Sequence, residues 1–174
     1  MQGTPTMTRT LLSLSVVGLV ACGGSTATKD KGTPVPGNRT AAAKRAPAHP
    51  DFSDWHGLTK ISKTPFVSKG HKGATVAVYV TPAAADQYRS LQGTYAVGTR
   101  VVKTHLVGGK VQKLLVMQKM PAGYDREHGD WFYGVYSPDG KKAMAAGKLH
   151  MCIGCHEAQG SDTDYLMGVP KDHQ

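Results

Sequence analysis

Near the end of the chain, "HMCIGCHEA" brings Cys152, Cys155 and His156 together within five residues. In isolation Cys-x-x-Cys suits zinc ligation, redox exchange or a disulfide. The histidine directly behind the second cysteine turns the group into the attachment signature of a c-type haem. On a helix the three residues stand at i, i+3 and i+4, so their side chains leave one face and a flat ligand meets all three. Both thiols can form thioethers to haem vinyl groups, while His156 takes one axial position on iron. One covalently attached haem c is the expected cofactor.

Haem of this kind is attached outside the cytoplasm, which directs attention to the N-terminus. "MTRTLLSLSVVGLVAC" begins at Met7, a candidate start, with basic Arg9 and an apolar run from Leu11 to Ala21. The run fits a secretory signal peptide and is too short for a membrane span. It ends in "LVAC", which resembles a bacterial lipobox. Residues 1–21 are thus expected to be cleaved before Cys22, whose sulfur is lipidated, anchoring an exported chain to a membrane on its periplasmic side. An ordinary signal leaving a free thiol is the alternative. Gly23 carries no inner-membrane retention signal by resemblance, which favours the outer membrane. Residues 22–50, rich in Gly, Pro, Thr and Ala without apolar periodicity, read as a flexible tether.

Of the formal net charge of +9, five basic residues against Asp30 lie in this tether, and +4 is spread over residues 51–174. An exported chain with its excess charge half in a linker needs no nucleic-acid partner. A basic tether beside anionic lipid explains the charge more simply.

The elements that must hold the haem follow from the remaining 51–174, one domain of ordinary size. "ATVAVYV" (74–80) alternates as a strand. In "TPAAADQYRSLQG", Thr81 is expected to cap a short helix with Pro82 at its first position and Gly93 ending it. "YAVGTRVVKTHLV" and "KVQKLLVMQKM" are strand-like runs joined by Gly108 and Gly109, which predicts an antiparallel hairpin. "WFYGVYS" from Trp131 is a further strand closed by the turn "SPDG". "KKAMAAGKLHMCIGCHEA" then reads as one helix carrying the cysteines. The fold class is α+β: a small antiparallel β-sheet packed with a few helices, the C-terminal one bearing the Cys-x-x-Cys-His site. Such strands exclude the four-helix cytochromes c-prime. A C-terminal attachment site also argues against the small electron-transfer cytochromes.

The motifs "DWHGLTKISKTPFVSKGHKGATVAVYV", "YAVGTRVVKTH", "VMQKMPAGYDREHGDWFYGVYSPDGKKAMAAGK" and "CIGCHEAQGSDTDYLMGVP", in that order, closely resemble the cytochrome P460 family and its relatives, the cytochromes c-prime-beta. The resemblance implies a small antiparallel sheet with helices, often a homodimer, and a five-coordinate c-haem open to a small nitrogenous ligand. It also implies that members acting on hydroxylamine bond a strand lysine to the haem edge, and the matching position is Lys103. Alternation puts Lys103 on one strand face with Val101 and His105; as an ordinary lysine it would be solvated. Those members place a carboxylate near the open iron position, where a base can accept substrate protons. Counting back without gaps from "GDW", that position is Leu115, which cannot. An apolar cap resembles the c-prime-beta branch, which binds nitric oxide or carbon monoxide. A shifted alignment would bring Asp125 or Glu127 in, although their loop reads as exposed turn charges.

Met117, Met120, Met144, Met151 and Met167, and His105, His128 and His150, are further sixth-ligand candidates, each better read as packing or surface. Trp131, Phe132 and Tyr133 read as core or haem-edge packing, with Tyr165 and Met167 folding over the haem. Three functions follow: an enzyme oxidising hydroxylamine or handling nitric oxide, with a soluble redox partner; a non-catalytic binder of nitric oxide or carbon monoxide; and an electron-transfer cytochrome c.

Overall fold

The computed structural model describes residues 49–174. The expected signal segment 1–21, Cys22 and all of the tether except His49 and Pro50 lie outside the described residues.

Alternating β-branched sequence produces a seven-stranded antiparallel sheet. Its strands are β1 (Thr59–Lys60), β2 (Phe66–Ser68), β3 (Ala74–Val80), β4 (Arg100–Val107), β5 (Lys110–Lys119), β6 (Trp131–Tyr136) and β7 (Ala143–Gly147). The order is β1-β3-β4-β5-β6-β7, with β2 also pairing to β3. The expected Gly108–Gly109 hairpin is present: both glycines have positive φ, 55° and 76°, and Val107 faces Lys110 across the turn. Left-handed conformations at both central residues match the turn to the strands' own twist. Between His105 and Leu106 the β4–β5 register shifts by a bulge.

Pleating sends alternate residues to two differently covered faces. On one face Val102, Leu114, Val116, Phe132 and Tyr136 pack beneath Phe52 and Trp55 of the N-terminal segment. Gly140 in the Ser137–Gly140 turn makes this closure, because a Cβ there would stand 2.2 Å from the Phe52 carbonyl oxygen. On the other face Val76, Val78, Val80, Val101, Met117, Trp131 and Tyr133 pack against α1 (Ala85–Ser90), α2 (His150–Glu157) and the terminal Leu166 and Val169. Burying each large apolar side chain contributes about 1.5–3 kcal/mol relative to leaving it in water. The second face carries the site.

Three local expectations require correction. Residues 141–158 do not form one helix: Ala143–Gly147 is β7, paired with β6, and only His150–Glu157 is helical. The Ser137–Gly140 turn delivers this alanine-rich run to the free edge of β6, where ladder hydrogen bonds override its helical preference. Gly147, at φ 116°, then ends the strand. Thr81 does not cap the short helix; its hydroxyl accepts a bond from the Arg100 N–H, and that helix ends at Leu91 in the left-handed region. Residues 95–99 precede the strand, which begins at Arg100.

Candidate functional site

α2 is short, and its docking follows from Ile153 and His156, three apart and both buried. Their burial turns Cys152, half-buried, and Cys155, exposed, toward the same cavity that His156 lines.

His156 is fixed in one tautomer. Its Nδ1 lies 2.7 Å from the Tyr165 carbonyl oxygen, which can only accept, so Nδ1 carries the proton and Nε2 keeps its lone pair. Burial first, and the Lys103 charge second, push the imidazole down to about 4, against the opposing effect of the Tyr165 bond. It is neutral at pH 7, as metal ligation requires.

The Tyr165 carbonyl is itself held firmly. Asp164 and Tyr165 both occupy the left-handed region, at φ 48° and 63°, which costs free energy at non-glycine residues. Holding them there, the Asp164 carboxylate receives Lys119 Nζ at 2.6 and 2.5 Å and the Tyr95 N–H at 2.8 Å. The Asp164 carbonyl accepts from Trp131 Nε1 at 2.8 Å. Nothing in the motif pattern singled out Lys119 or Asp164, although a lysine in a strand and an aspartate in the segment after the cysteines were both visible.

The cavity has a volume of about 1020 Å³. Lys103 and Leu115 both line it, and they stand directly opposite each other in the β4–β5 register. Val101 and His105 line it too, as alternation requires. Lys103 is only 7% exposed, and among the described residues it has no ion-pair partner. Burial alone lowers its ammonium to about 8, so Lys103 is mostly charged at pH 7, while its neutral amine, the nucleophilic form, is far more abundant than in an ordinary lysine.

These walls fit a haem. Lys69, Lys72, Lys103 and Lys113 line the cavity and, among the described residues, no carboxylate does, which suits a macrocycle bearing two anionic propionates. The Tyr133 hydroxyl, on the same wall, is buried without a hydrogen-bond partner among the described residues, a donor left for a bound group. Cys152, Cys155 and His156 form the set that could hold such a group covalently and axially.

Other candidates divide. His105, Met117 and Met167 line the cavity, as does Met151 at its rim, 78% exposed. Met120 packs on the opposite sheet face, Met144 and His150 are exposed, and His128 bonds Asp125 at 3.1 Å. Asp125 is not an exposed turn charge; it is buried under His128 and does not line the cavity, whereas Glu127 is exposed. Trp131 and Tyr133 lie on the site face and Phe132 on the other. Tyr165 contributes its carbonyl to His156 and sends its hydroxyl to the Glu127 carbonyl, away from the cavity. His71, from the loop between β2 and β3, also lines the cavity and was not singled out from the sequence, where it appears only as a histidine between two Lys-Gly pairs.

The sequence matches the family described as cytochrome P460 over residues 50–167, two-thirds of the chain. The chain belongs to the cytochrome P460 family. No curated protein matches it. As a cytochrome P460, the chain is a haem c protein with one covalently bound haem. The match begins where Pro50 accepts a hydrogen bond from the Tyr136 hydroxyl and ends at Met167, spanning the sheet, α2 and the segment that holds His156.

Proposed function

We propose that this cytochrome P460 attaches its haem through Cys152 and Cys155, takes His156 as axial ligand, and keeps the other side of the iron open to hydroxylamine or nitric oxide. The observation that carries the reading is convergence: Cys152, Cys155, His156, Lys103 and Leu115, drawn from three separate elements, line one cavity. Bound haem supplies the iron that exchanges electrons with a small ligand and a redox partner. His156 presents Nε2 in the neutral state, and Tyr165 keeps that tautomer. Lys103 is the chain's candidate for an additional bond to the macrocycle edge, and Leu115, opposite it in the register, gives the cavity an apolar side chain there. Hydroxylamine turnover by the purified haem protein with a one-electron acceptor tests the reading; failure to bind carbon monoxide when reduced would refute the open position.

A non-catalytic role as binder of nitric oxide or carbon monoxide is the second reading. It is favoured by the apolar Leu115 and by the lack of any carboxylate lining the cavity among the described residues. Tight nitric oxide binding without hydroxylamine turnover distinguishes it. In either role we place the protein outside the cytoplasm, lipid-anchored through Cys22, with a soluble redox partner if it is an enzyme, no nucleic acid, and a homodimer as its assembly.

A further inference from the structure

The loop from Ser68 to Gly73 is built to hold one side chain. Its ends are joined by the Gly73 N–H donating to the Ser68 carbonyl at 3.1 Å, and Ser68 and Ala74 on either side are a register pair of β2 and β3. Lys72 and Gly73, both with positive φ, turn the chain back immediately after His71. Inside this loop the Ser68 hydroxyl lies 2.7 Å from His71 Nδ1. The imidazole is thereby oriented, and its Nε2 has no partner among the described residues' hydrogen bonds.

We infer that His71 is the polar residue that meets a small ligand on the open side of the iron, forming a hydrogen bond to it through Nε2. This rests on the haem reading above and supplies what Leu115 cannot. The remaining cavity histidines are less suited: His156 is committed through Nδ1 to Tyr165 and through Nε2 to the iron, and His105 stands on β4 beside the bulge with no side-chain anchor among the described residues. His71 comes from the loop between β2 and β3 and so does not share the helix that carries Cys152, Cys155 and His156.

The Ser68 partnership gives His71 two complementary roles. When the Ser68 hydroxyl donates to Nδ1, the proton of the neutral ring is on Nε2, which donates to a bound nitric oxide or carbon monoxide. When Ser68 Oγ instead accepts from Nδ1–H, Nε2 presents a lone pair to the N–H or O–H of hydroxylamine. Both forms require a neutral ring. Burial, then the facing Lys103, His156, His105 and Lys113, hold the imidazole down at about 4, so it is neutral across the physiological range.

The test uses the purified haem-loaded protein, reduced, with carbon monoxide as probe. His71→Leu is expected to move the bound C–O stretch to higher frequency and to speed carbon monoxide dissociation roughly three- to tenfold, the worth of one hydrogen bond. His71→Gln, which keeps a donor, should restore most of the shift; Ser68→Ala, which frees the ring, should give part of it. His105→Leu should leave both readouts unchanged. An unaltered stretch in His71→Leu, or in Ser68→Ala relative to wild type if His71→Leu does not fold, overturns the assignment while leaving the open site intact. A shift in His105→Leu alone overturns it in favour of His105. A wild-type protein that binds no carbon monoxide overturns the open-site reading, and the role of His71 with it.

Discussion

Lys119 and Asp164 form a buried ion pair, their side chains 7% and 5% exposed and their charged atoms 2.5 Å apart at closest approach. The pair lies one residue from the carbonyl that holds His156, and Lys119 Nζ also sits 5.0 Å from the centre of the Trp131 ring. A strand residue of the sheet is thus tied to the segment that orients the His156 imidazole.

Removing one partner leaves the other charge buried without compensation. Asp164→Asn is expected to lower the stability of the haem protein by about 3–5 kcal/mol, measured by denaturant unfolding. Replacing both partners, Lys119→Met with Asp164→Asn, should recover much of that loss. A purely structural role would stop there. Because Asp164 sets the Tyr165 carbonyl, its loss should also weaken the bond to Nδ1–H, make His156 a poorer electron donor and raise the iron reduction potential. An unchanged potential in a folded Asp164→Asn protein would limit the pair to stability.

The sheet was legible because its signals are local, β-rich runs over 74–80 and 110–119 and two glycines in a hairpin, and the spacing of Cys152, Cys155 and His156 suffices to put them on one helical turn. The sequence carried Lys103 and Leu115 only through the family resemblance, because facing across β4 and β5 depends on register that no single strand displays. β7 was missed because Ala143–Gly147 has weak preferences of its own and is a strand only by pairing with β6. Lys119, Asp164 and His71 were missed for a related reason. Each gains its meaning from a partner distant in sequence, or from a loop closed by Ser68, and an isolated lysine, aspartate or histidine is most often at the surface.

Lys103 yields a covalent and an electrostatic prediction. If its amine is bonded to the haem edge, proteolysis should leave the Lys103 peptide joined to the peptide containing Cys152 and Cys155, with the haem as bridge, in mass spectra. Lys103→Ala should separate them and shift the ferrous spectrum towards an ordinary c-haem. Recovery of a free Lys103 peptide in full yield excludes the bond. In that case the lysine titrates, with a folded value of about 8 below its ordinary 10.5. The unfolded chain then binds more protons between these values, so Lys103 penalises folding fully below about pH 8 and the penalty is relieved as pH rises towards 10.5. Relative to Lys103→Met, the wild type should gain stability across that interval.

Cys22 predicts behaviour in the cell rather than in the cavity. With the lipobox-like "LVAC" intact, the protein should fractionate with membranes and release on removal of its lipid. Cys22→Ser should instead accumulate as an unprocessed or soluble form. Identical fractionation of the two proteins would assign the apolar run to an ordinary signal.

Leu115 decides between turnover and binding. It lies opposite Lys103 in the register and lines the same cavity, so a carboxylate at this position would enter a wall that is otherwise cationic or neutral. Leu115→Glu should therefore be tolerated, because the nearby Lys103 charge offsets part of the cost of burying a carboxylate. The added group supplies a base for the protons that hydroxylamine releases as its electrons leave, a contribution typically on the order of a hundredfold in rate. The expected result is faster hydroxylamine oxidation with unchanged carbon monoxide binding, the second measurement showing that the iron position is still open. Leu115→Gln, similar in size but unable to accept a proton, should not reproduce the gain. If glutamate and glutamine behave alike, proton acceptance at this wall does not limit the reaction, and the base must be sought at His71.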